Sequence, residues 1–159
     1  MIKTGIVGYG FAGRSFHSYL IGLAKGLTLS TIATRDPVRQ AAAQVEQGVA
    51  TCETIDDLLM DEDIQLVVLA TPHDVHAPMA IQAMDAGRHV VVDKVMCLTA
   101  GEADAMIAAS ERNGGMLSVF HNRRWDWDFL TMKQLISDDL IGDPFLIETA
   151  VFRYRGLRT

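Results

Sequence analysis

Basic runs are missing from this chain. Its 159 residues carry a net charge of −6, and the lysines and arginines form no block, which argues against nucleic acid as a partner. Cysteine is scarce as well. Cys52 and Cys97 share no metal-ligand spacing and suggest no disulfide framework of the secreted kind. No apolar stretch approaches the length that spans a bilayer, so no membrane contact is expected. The first apolar run is only a strand long and ends in a glycine turn, unlike a secretory leader. Tandem repeats and low-complexity segments are absent too. What remains is an ordinary globular composition, 49% apolar and 21% charged, long enough for one domain with a proper core. The expected compartment is a reducing cytoplasm, and no metal site is expected.

The most informative feature that is present lies near the start. Ile2–Val7 is a short apolar run, Gly8-Tyr9-Gly10-Phe11-Ala12-Gly13 follows it, and a helix-like stretch comes next. Strand, glycine turn and helix start are the setting of the dinucleotide fingerprint. Gly8 permits the turn, Gly10 lets the backbone approach a pyrophosphate, and Gly13 lets the helix pack closely on the strand. The first helical N–H groups would face the phosphates.

Strand and helix signals then alternate. After a helix over Ala12–Lys25 come strand two, Leu27–Ala33, and a helix opened by Asp36 as N-cap and Pro37 at its first position. Val49–Thr51 is a short third strand, and Thr54 caps another small helix. Ile64–Ala70 is a nearly continuous apolar run, as in a strand covered on both faces. A helix over Val75–Ala86 ends at Gly87, and His89–Val92 is strand five. Thr99 and Glu102 form a capping box for a helix to about Asn113, stopped by Gly114-Gly115. Leu117–Phe120 is strand six, Trp125–Ser137 a helix, and Pro144–Tyr154 one further strand. This rhythm predicts an α/β fold with a doubly wound parallel sheet of the Rossmann type. The expected division is a dinucleotide-binding domain over 1–122, then a linking helix and the start of a second domain over 123–159.

The end of strand two bears on cofactor type. A site for NAD usually places an acid there to hold the ribose hydroxyls. Here the residues are Ala33-Thr34-Arg35-Asp36, and the acid stands one step into the loop, as a cap. Thr34 can donate to a phosphate oxygen and Arg35 can pair with one, which favours NADP while leaving NAD possible. The plainer reading of Arg35 is a solvated side chain beside a helix start.

Three further loops follow strand ends, where ligands collect in open α/β sheets. Thr71-Pro72-His73-Asp74-Val75-His76 follows strand four. Pro72 stiffens the loop, and Thr71 can bond a bound group. His73 and His76 are open to three roles: ligand, proton carrier or helix-start residue. Asp93-Lys94-Val95 follows strand five, where a lysine at the rim can carry charge toward an alkoxide. His121-Asn122-Arg123-Arg124-Trp125-Asp126 follows strand six. Its donors suit a polyhydroxylated or anionic ligand; alternatively Asn122 or Asp126 caps a helix there and the arginines pair with carboxylates.

Together these blocks resemble the N-terminal domain of the Gfo/Idh/MocA oxidoreductases, along essentially the whole chain. The resemblance rests on the glycine turn, on Thr71–Ala77, on Gly87–Lys94 and on Ser118–Asp126. The last block and Ala33-Thr34-Arg35 look most like the NADP-dependent scyllo-inositol dehydrogenase subgroup. The resemblance implies that Gly8, Gly10, Phe11, Ala12 and Gly13 hold pyrophosphate and that Thr34 and Arg35 hold a 2′-phosphate. Thr71, Pro72, His73, Asp93 and Lys94 would flank the nicotinamide ribose, and His76 belongs to the cofactor-binding candidates as well. Lys94 matches the lysine of the family's Glu-Lys-Pro motif, between cofactor and substrate, and is the catalytic candidate. His121, Asn122 and Arg124, with Lys94, are the substrate-binding candidates. The implied activity is hydride transfer between NADP and a secondary alcohol of a cyclitol or sugar.

Two departures stand out. Val95 occupies the place of the motif's proline, and loss of the fixed φ affects the loop that aims Lys94. In the family a second α/β domain follows, bringing an Asp and a His to the catalytic group and mediating homo-oligomer formation. Here Phe145–Tyr154 looks like that domain's first strand, and the sequence closes at Thr159. Two function classes follow: an oxidoreductase, inactive over these residues alone, or a non-catalytic NADP-binding sensor or partner module.

Overall fold

Short apolar runs alternating with capped helices build a parallel sheet in the computed structural model, which describes residues 1–152. Strand β1 (Ile2–Val7) leads through the glycine turn into a π-helical turn, Gly13–His17, and α1 (Ser18–Leu23). Next come β2 (Leu27–Ala33), α2 (Pro37–Gln47), β3 (Ala50–Cys52), α3 (Ile55–Leu59) and β4 (Leu66–Leu69). A 3₁₀ turn, His73–Val75, opens α4 (His76–Asp85), followed by β5 (His89–Val92), α5 (Ala100–Asn113) and β6 (Leu117–Val119). Another 3₁₀ turn, Asn122–Trp125, precedes α6 (Trp127–Ser137). Residues Met1–His121 form one unit, and a second begins at Asn122.

The strands run in the order β3-β2-β1-β4-β5-β6, each pair parallel. β1 therefore has β2 on one side and β4 on the other, which makes the β1–β4 junction the switch point of the sheet. All four residues of β4 are buried, and Val67, Val68 and Leu69 alternate between two cores. Val67 and Leu69 join Val90, Val92 and the inner faces of α3, α4 and α5. Val68 joins Ile6, Ile32, Ile21 of α1 and Ala43 of α2. The strand period of two thus sends neighbouring residues to opposite helical layers.

Helix starts follow their caps. The Asp36 carboxylate accepts from Val38 N and Arg39 N. Thr54 with Asp57, and Thr99 with Glu102, form reciprocal capping boxes. Among the described residues no helix is long and apolar enough to cross a membrane.

Three expectations need correction. The helix expected over Ala12–Lys25 is helical from its expected start but ends at Leu23, and it passes through a π-helical turn at Gly13–His17. The Gly13 carbonyl there accepts both the backbone N–H and the hydroxyl of Ser18, the latter at 2.8 Å. The wide turn rotates His17 into the interior. Trp125 falls in a 3₁₀ turn, so α6 starts at Trp127. Finally, Pro144–Phe152 form no strand, and Arg153 and Tyr154 lie outside the described residues. Among the described residues no strand pairs with this segment; Ile147 and Val151 instead line one groove with Phe129, Met132 and Ile136 of α6.

The glycine turn separates two kinds of glycine. A Cβ on Gly13 would stand 2.1 Å from the Gly8 carbonyl oxygen, whereas at Gly10 the nearest atom, Nη1 of Arg39, is 3.8 Å away. Gly13→Ala is therefore expected to lower stability by about 1–3 kcal/mol in urea unfolding, through overpacking. Gly10→Ala is expected to leave the unfolding midpoint near that of the parent. Equal midpoints for Gly13→Ala and the parent would contradict the close packing.

Candidate functional site

The carboxyl ends of β1, β4, β5 and β6 point to one rim, and the sequence-marked loops of the first unit all leave from it. Gly8 closes the first loop with φ +96°, and a Cβ there would meet the Ala70 carbonyl at 2.4 Å. Its N–H bonds Ala33 O at 2.8 Å, holding the turn to the end of β2. Gly10 and Phe11 then face a cleft of about 360 Å³ shared with Val38 and Arg39 of α2. Phe11 is exposed and meets Phe16 edge-on at 5.4 Å. The space above Gly10 is left open by the protein, as a cradle for a pyrophosphate requires.

Beyond β2, Thr34 is buried. Its N–H bonds Cys52 O at 2.9 Å, and its carbonyl accepts from Gln40 Nε2 at 2.7 Å. Arg35 is exposed and has no ion pair among the described residues. Asp36 is fully engaged: Oδ1 caps α2 at Val38 N, 2.9 Å, and Oδ2 pairs with Arg39 Nε at 3.2 Å. On the far side of the cleft Arg14 pairs with Glu46, which also accepts from the Tyr9 hydroxyl at 2.9 Å. The Arg14 guanidinium holds the Glu46 carboxyl below the usual carboxylate range.

The β4 loop brings Thr71, Pro72 and His73 to the rim. Pro72 and His73 are exposed, and the Thr71 hydroxyl is buried without a partner. That orphaned hydroxyl is what a ribose-facing group would leave before its ligand binds. His76 departs from the expected cofactor contact. It is fully buried, with Nδ1 2.7 Å from Val95 O and Nε2 3.0 Å from Thr71 O, so both ring nitrogens are committed to backbone. Its place at the start of α4, under the loop, takes it out of the cleft.

At the end of β5 the Asp93 carboxylate accepts from Lys94 N at 2.8 Å. The Lys94 side chain is exposed and has no ion pair among the described residues. The Lys94–Val95 peptide is cis. His121 is exposed just past β6, its N–H bonded to Val119 O at 2.8 Å. Asn122 and Arg124 belong to the second unit. Arg124 is exposed, Arg123 pairs with Asp126 at 2.5 Å, and Asn122 Oδ1 is buried without a partner. Asp126 precedes α6 but makes no side-chain cap, because its carboxylate serves Arg123. Among the described residues no group of three or more His, Cys, Asp or Glu side chains could hold a metal ion.

Two side chains of the rim go unmarked by motif reading. Arg39 has one available signal: it stands four positions after Arg35, on the first turn of the helix that follows β2. His17 has none, since its burial depends on the π turn. Its ring packs against Phe120 at 4.7 Å, and Nε2 lies 4.0 Å from Asp93 Oδ1 without a hydrogen-bond partner.

Burial pushes the His17 imidazole below its ordinary value of 6.5, and the charge of Asp93 partly opposes this. With the folded value depressed, the unfolded chain binds the extra proton. The stability tied to neutral His17 is therefore present above about pH 6.5 and lost as pH falls through the lower folded value. Thermal unfolding midpoints measured from pH 7 to pH 5 should drop more for the parent than for His17→Gln. Parallel profiles would remove His17 as the cause.

Comparison with known proteins agrees with this geometry. The family model described as "Oxidoreductase family, NAD-binding Rossmann fold" matches residues 2–121. An uncharacterized oxidoreductase, YdgJ, of Escherichia coli K12 is 39% identical over 154 residues, which cover 97% of this chain and 44% of the relative. The scyllo-inositol 2-dehydrogenase (NADP(+)) IolW of Bacillus subtilis is 36% identical over 157 residues, covering 97% and 42%. A crystal structure of an NAD-binding protein from Listeria innocua superposes with a TM-score of 0.85 at 34% identity, over 89% of this chain and 42% of that one. The chain thus spans less than half the length of the relatives it matches.

Proposed function

Because the chain belongs to the Gfo/Idh/MocA oxidoreductase family, we propose that it is the dinucleotide-holding part of an NADP-dependent dehydrogenase acting on a secondary alcohol of a cyclitol or sugar. One observation carries the reading. The open cradle at Gly10, the orphaned Thr71 hydroxyl and the free Lys94 ammonium leave from β1, β4 and β5, on both sides of the switch point.

The choice of NADP rests on Asp36. Engaged as the cap of α2 and partner of Arg39, it is a poor acceptor for ribose hydroxyls. Arg35 beside it is free to pair with a 2′-phosphate, and Arg39 adds a second guanidinium at the same edge. The NADP(+) in the name of the Bacillus subtilis relative points the same way.

A bound nicotinamide would supply the hydride acceptor. The chain's own residues do the rest: Gly8, Gly10 and Gly13 shape the phosphate cradle, with Phe11 and Ala12 between them. Thr71, Pro72 and His73 flank the ribose on the β4 side, and Asp93 orients the Lys94 backbone on the β5 side. Lys94 Nζ sits where it can hold or take the proton of a substrate hydroxyl, with His121 at the neighbouring strand end. Asn122 and Arg124 remain candidate substrate contacts in the second unit, and assembly into homo-oligomers belongs to the longer protein.

Titration with NADP and NAD, followed by calorimetry, should give tighter binding of NADP. Arg35→Ala should remove most of the difference, about ten- to a hundredfold, the size of a charge-assisted contact. Equal affinities in the parent would sink the NADP reading.

Residues 1–159 alone should bind NADP yet yield no NADPH from scyllo-inositol or simple sugars, because substrate orientation and proton transfer need groups the family carries on its second domain. Steady NADPH production by this chain would show that Lys94 or His121 suffices.

A further inference from the structure

The sheet stops holding its loops one residue past its ladder. β4 and β5 pair in register from Leu66↔His89 to Leu69↔Val92, and a last backbone bond runs from Asp93 N to Leu69 O at 2.9 Å. Thr71 and Lys94 both lie beyond that bond. What joins the two loops there is a side chain. The fully buried His76 ring reaches Thr71 O at 3.0 Å through Nε2 and Val95 O at 2.7 Å through Nδ1.

We propose that His76 is a positioning residue, the buried tie that fixes the Lys94 loop against the Thr71 loop and so sets the span between the two sides of the nicotinamide pocket. The proposal rests on the role given to Lys94 and Thr71 above. Its chemistry follows from the partners. Both atoms facing the ring are carbonyl oxygens, which only accept, so the imidazole acts as donor. A ring bearing one N–H donates to one of these carbonyls and packs its other edge against the second, so a single side chain lies in contact with both loops. The carbonyl of Val95 is the first acceptor past Lys94, so a shift there moves the lysine directly. Misplacement of a reacting group by about 1 Å can cost roughly a hundredfold in rate. The rigid base of the tie is α4, whose inner face is packed through Ala77, Ala80, Ala83 and Met84 into the core under β4 and β5.

Three measurements test the tie. In the parent, NMR should show a slowly exchanging His76 ring N–H with contacts to the Thr71 and Val95 segments; a rapidly exchanging ring with no such contacts would overturn the proposal. In His76→Gln and His76→Ala, amide hydrogen exchange should quicken over Thr71–Asp74 and Asp93–Cys97 while β1, β4 and β5 keep parent rates. Unchanged loops, or loss of protection throughout the sheet, would overturn it. In the same variants NADPH affinity should fall about tenfold, while adenosine 2′,5′-bisphosphate, which lacks the nicotinamide end, binds within about twofold of the parent. Added imidazole should recover part of the NADPH affinity of His76→Ala. Equal loss for both nucleotides would make His76 a general packing residue. If the parent binds neither nucleotide, the proposed cofactor fails, and NMR and hydrogen exchange still decide the tie.

Discussion

One steric constraint organises the rim: the backbone at Gly8 passes in contact with both Ala70 and Gly13. A Cβ on Gly8 would stand 2.4 Å from the Ala70 carbonyl oxygen, and a Cβ on Gly13 would stand 2.1 Å from that of Gly8. Neither clash has a flexible side chain to relieve it, since backbone stands on both sides. Only with glycine at both positions can β1 turn into its helix while β4 runs alongside. The two neighbouring strands then part company. The chain after β1 goes to α1, whose Ile21 packs with Ile6 and Ile32. The chain after β4 goes to α4, whose Ala77 and Ala80 pack with Val67 and Leu69. A crevice at the carboxyl end of the β1–β4 pair follows from that divergence. Gly10 differs in kind, because no protein atom crowds it and its lack of a side chain leaves space for something else.

Charge at the rim is sorted by the same local geometry. Asp36, Glu46 and Asp93 each accept from other groups of the protein: a helix start and Arg39, then Arg14 and Tyr9 more than thirty positions away, then the Lys94 amide. Arg35 and Lys94 have no ion-pair partner among the described residues. Arg35 follows β2 and Lys94 follows β5, so in a chain of net charge −6 the carboxyl rim keeps two cations free of ion pairs on either side of the β1–β4 junction. Surface pairs contribute little to stability, so leaving these two unpaired costs the protein almost nothing.

Much of this was legible in the sequence, for physical reasons that differ by element. β1, β2 and β5 matched residue for residue, because apolar runs bounded by turn residues have few alternatives at that length. Asp36, Thr54 and Thr99 announced their helices because a cap is a local bond between residues two or three apart. Features that depend on distant partners were not legible. The π turn at Gly13 rests on a Ser18 hydroxyl finding a carbonyl five residues back, and it alone decides that His17 faces inward. His76 entered the candidate cofactor set with the family resemblance, yet its ring faces the carbonyl of Val95, nineteen positions later and on another strand's loop. The strand expected over Pro144–Tyr154 had the right composition. Strand identity belongs to a pair, and no neighbour among the described residues pairs with it.

That contrast also explains where polarity is buried. Among the described residues the buried polar side chains besides Thr4 are His17, Ser18, Thr34 and His76, all on segments that follow a strand's carboxyl end. Within the sheet the backbone satisfies itself through the ladder, so the side chains buried there can be almost entirely apolar. Past the last rung each loop carbonyl needs its own donor, and an unmet buried group costs about 1–3 kcal/mol. Ser18 supplies a donor to Gly13, Gln40 to Thr34, and His76 to one of the two carbonyls its ring faces, Thr71 or Val95. The rim is thus held by side chains where the sheet is held by main chain. A substitution in β4 is felt as lost packing spread over two layers. At His76 or Ser18 it releases one loop from a named acceptor, which makes the geometry of this crevice adjustable one residue at a time.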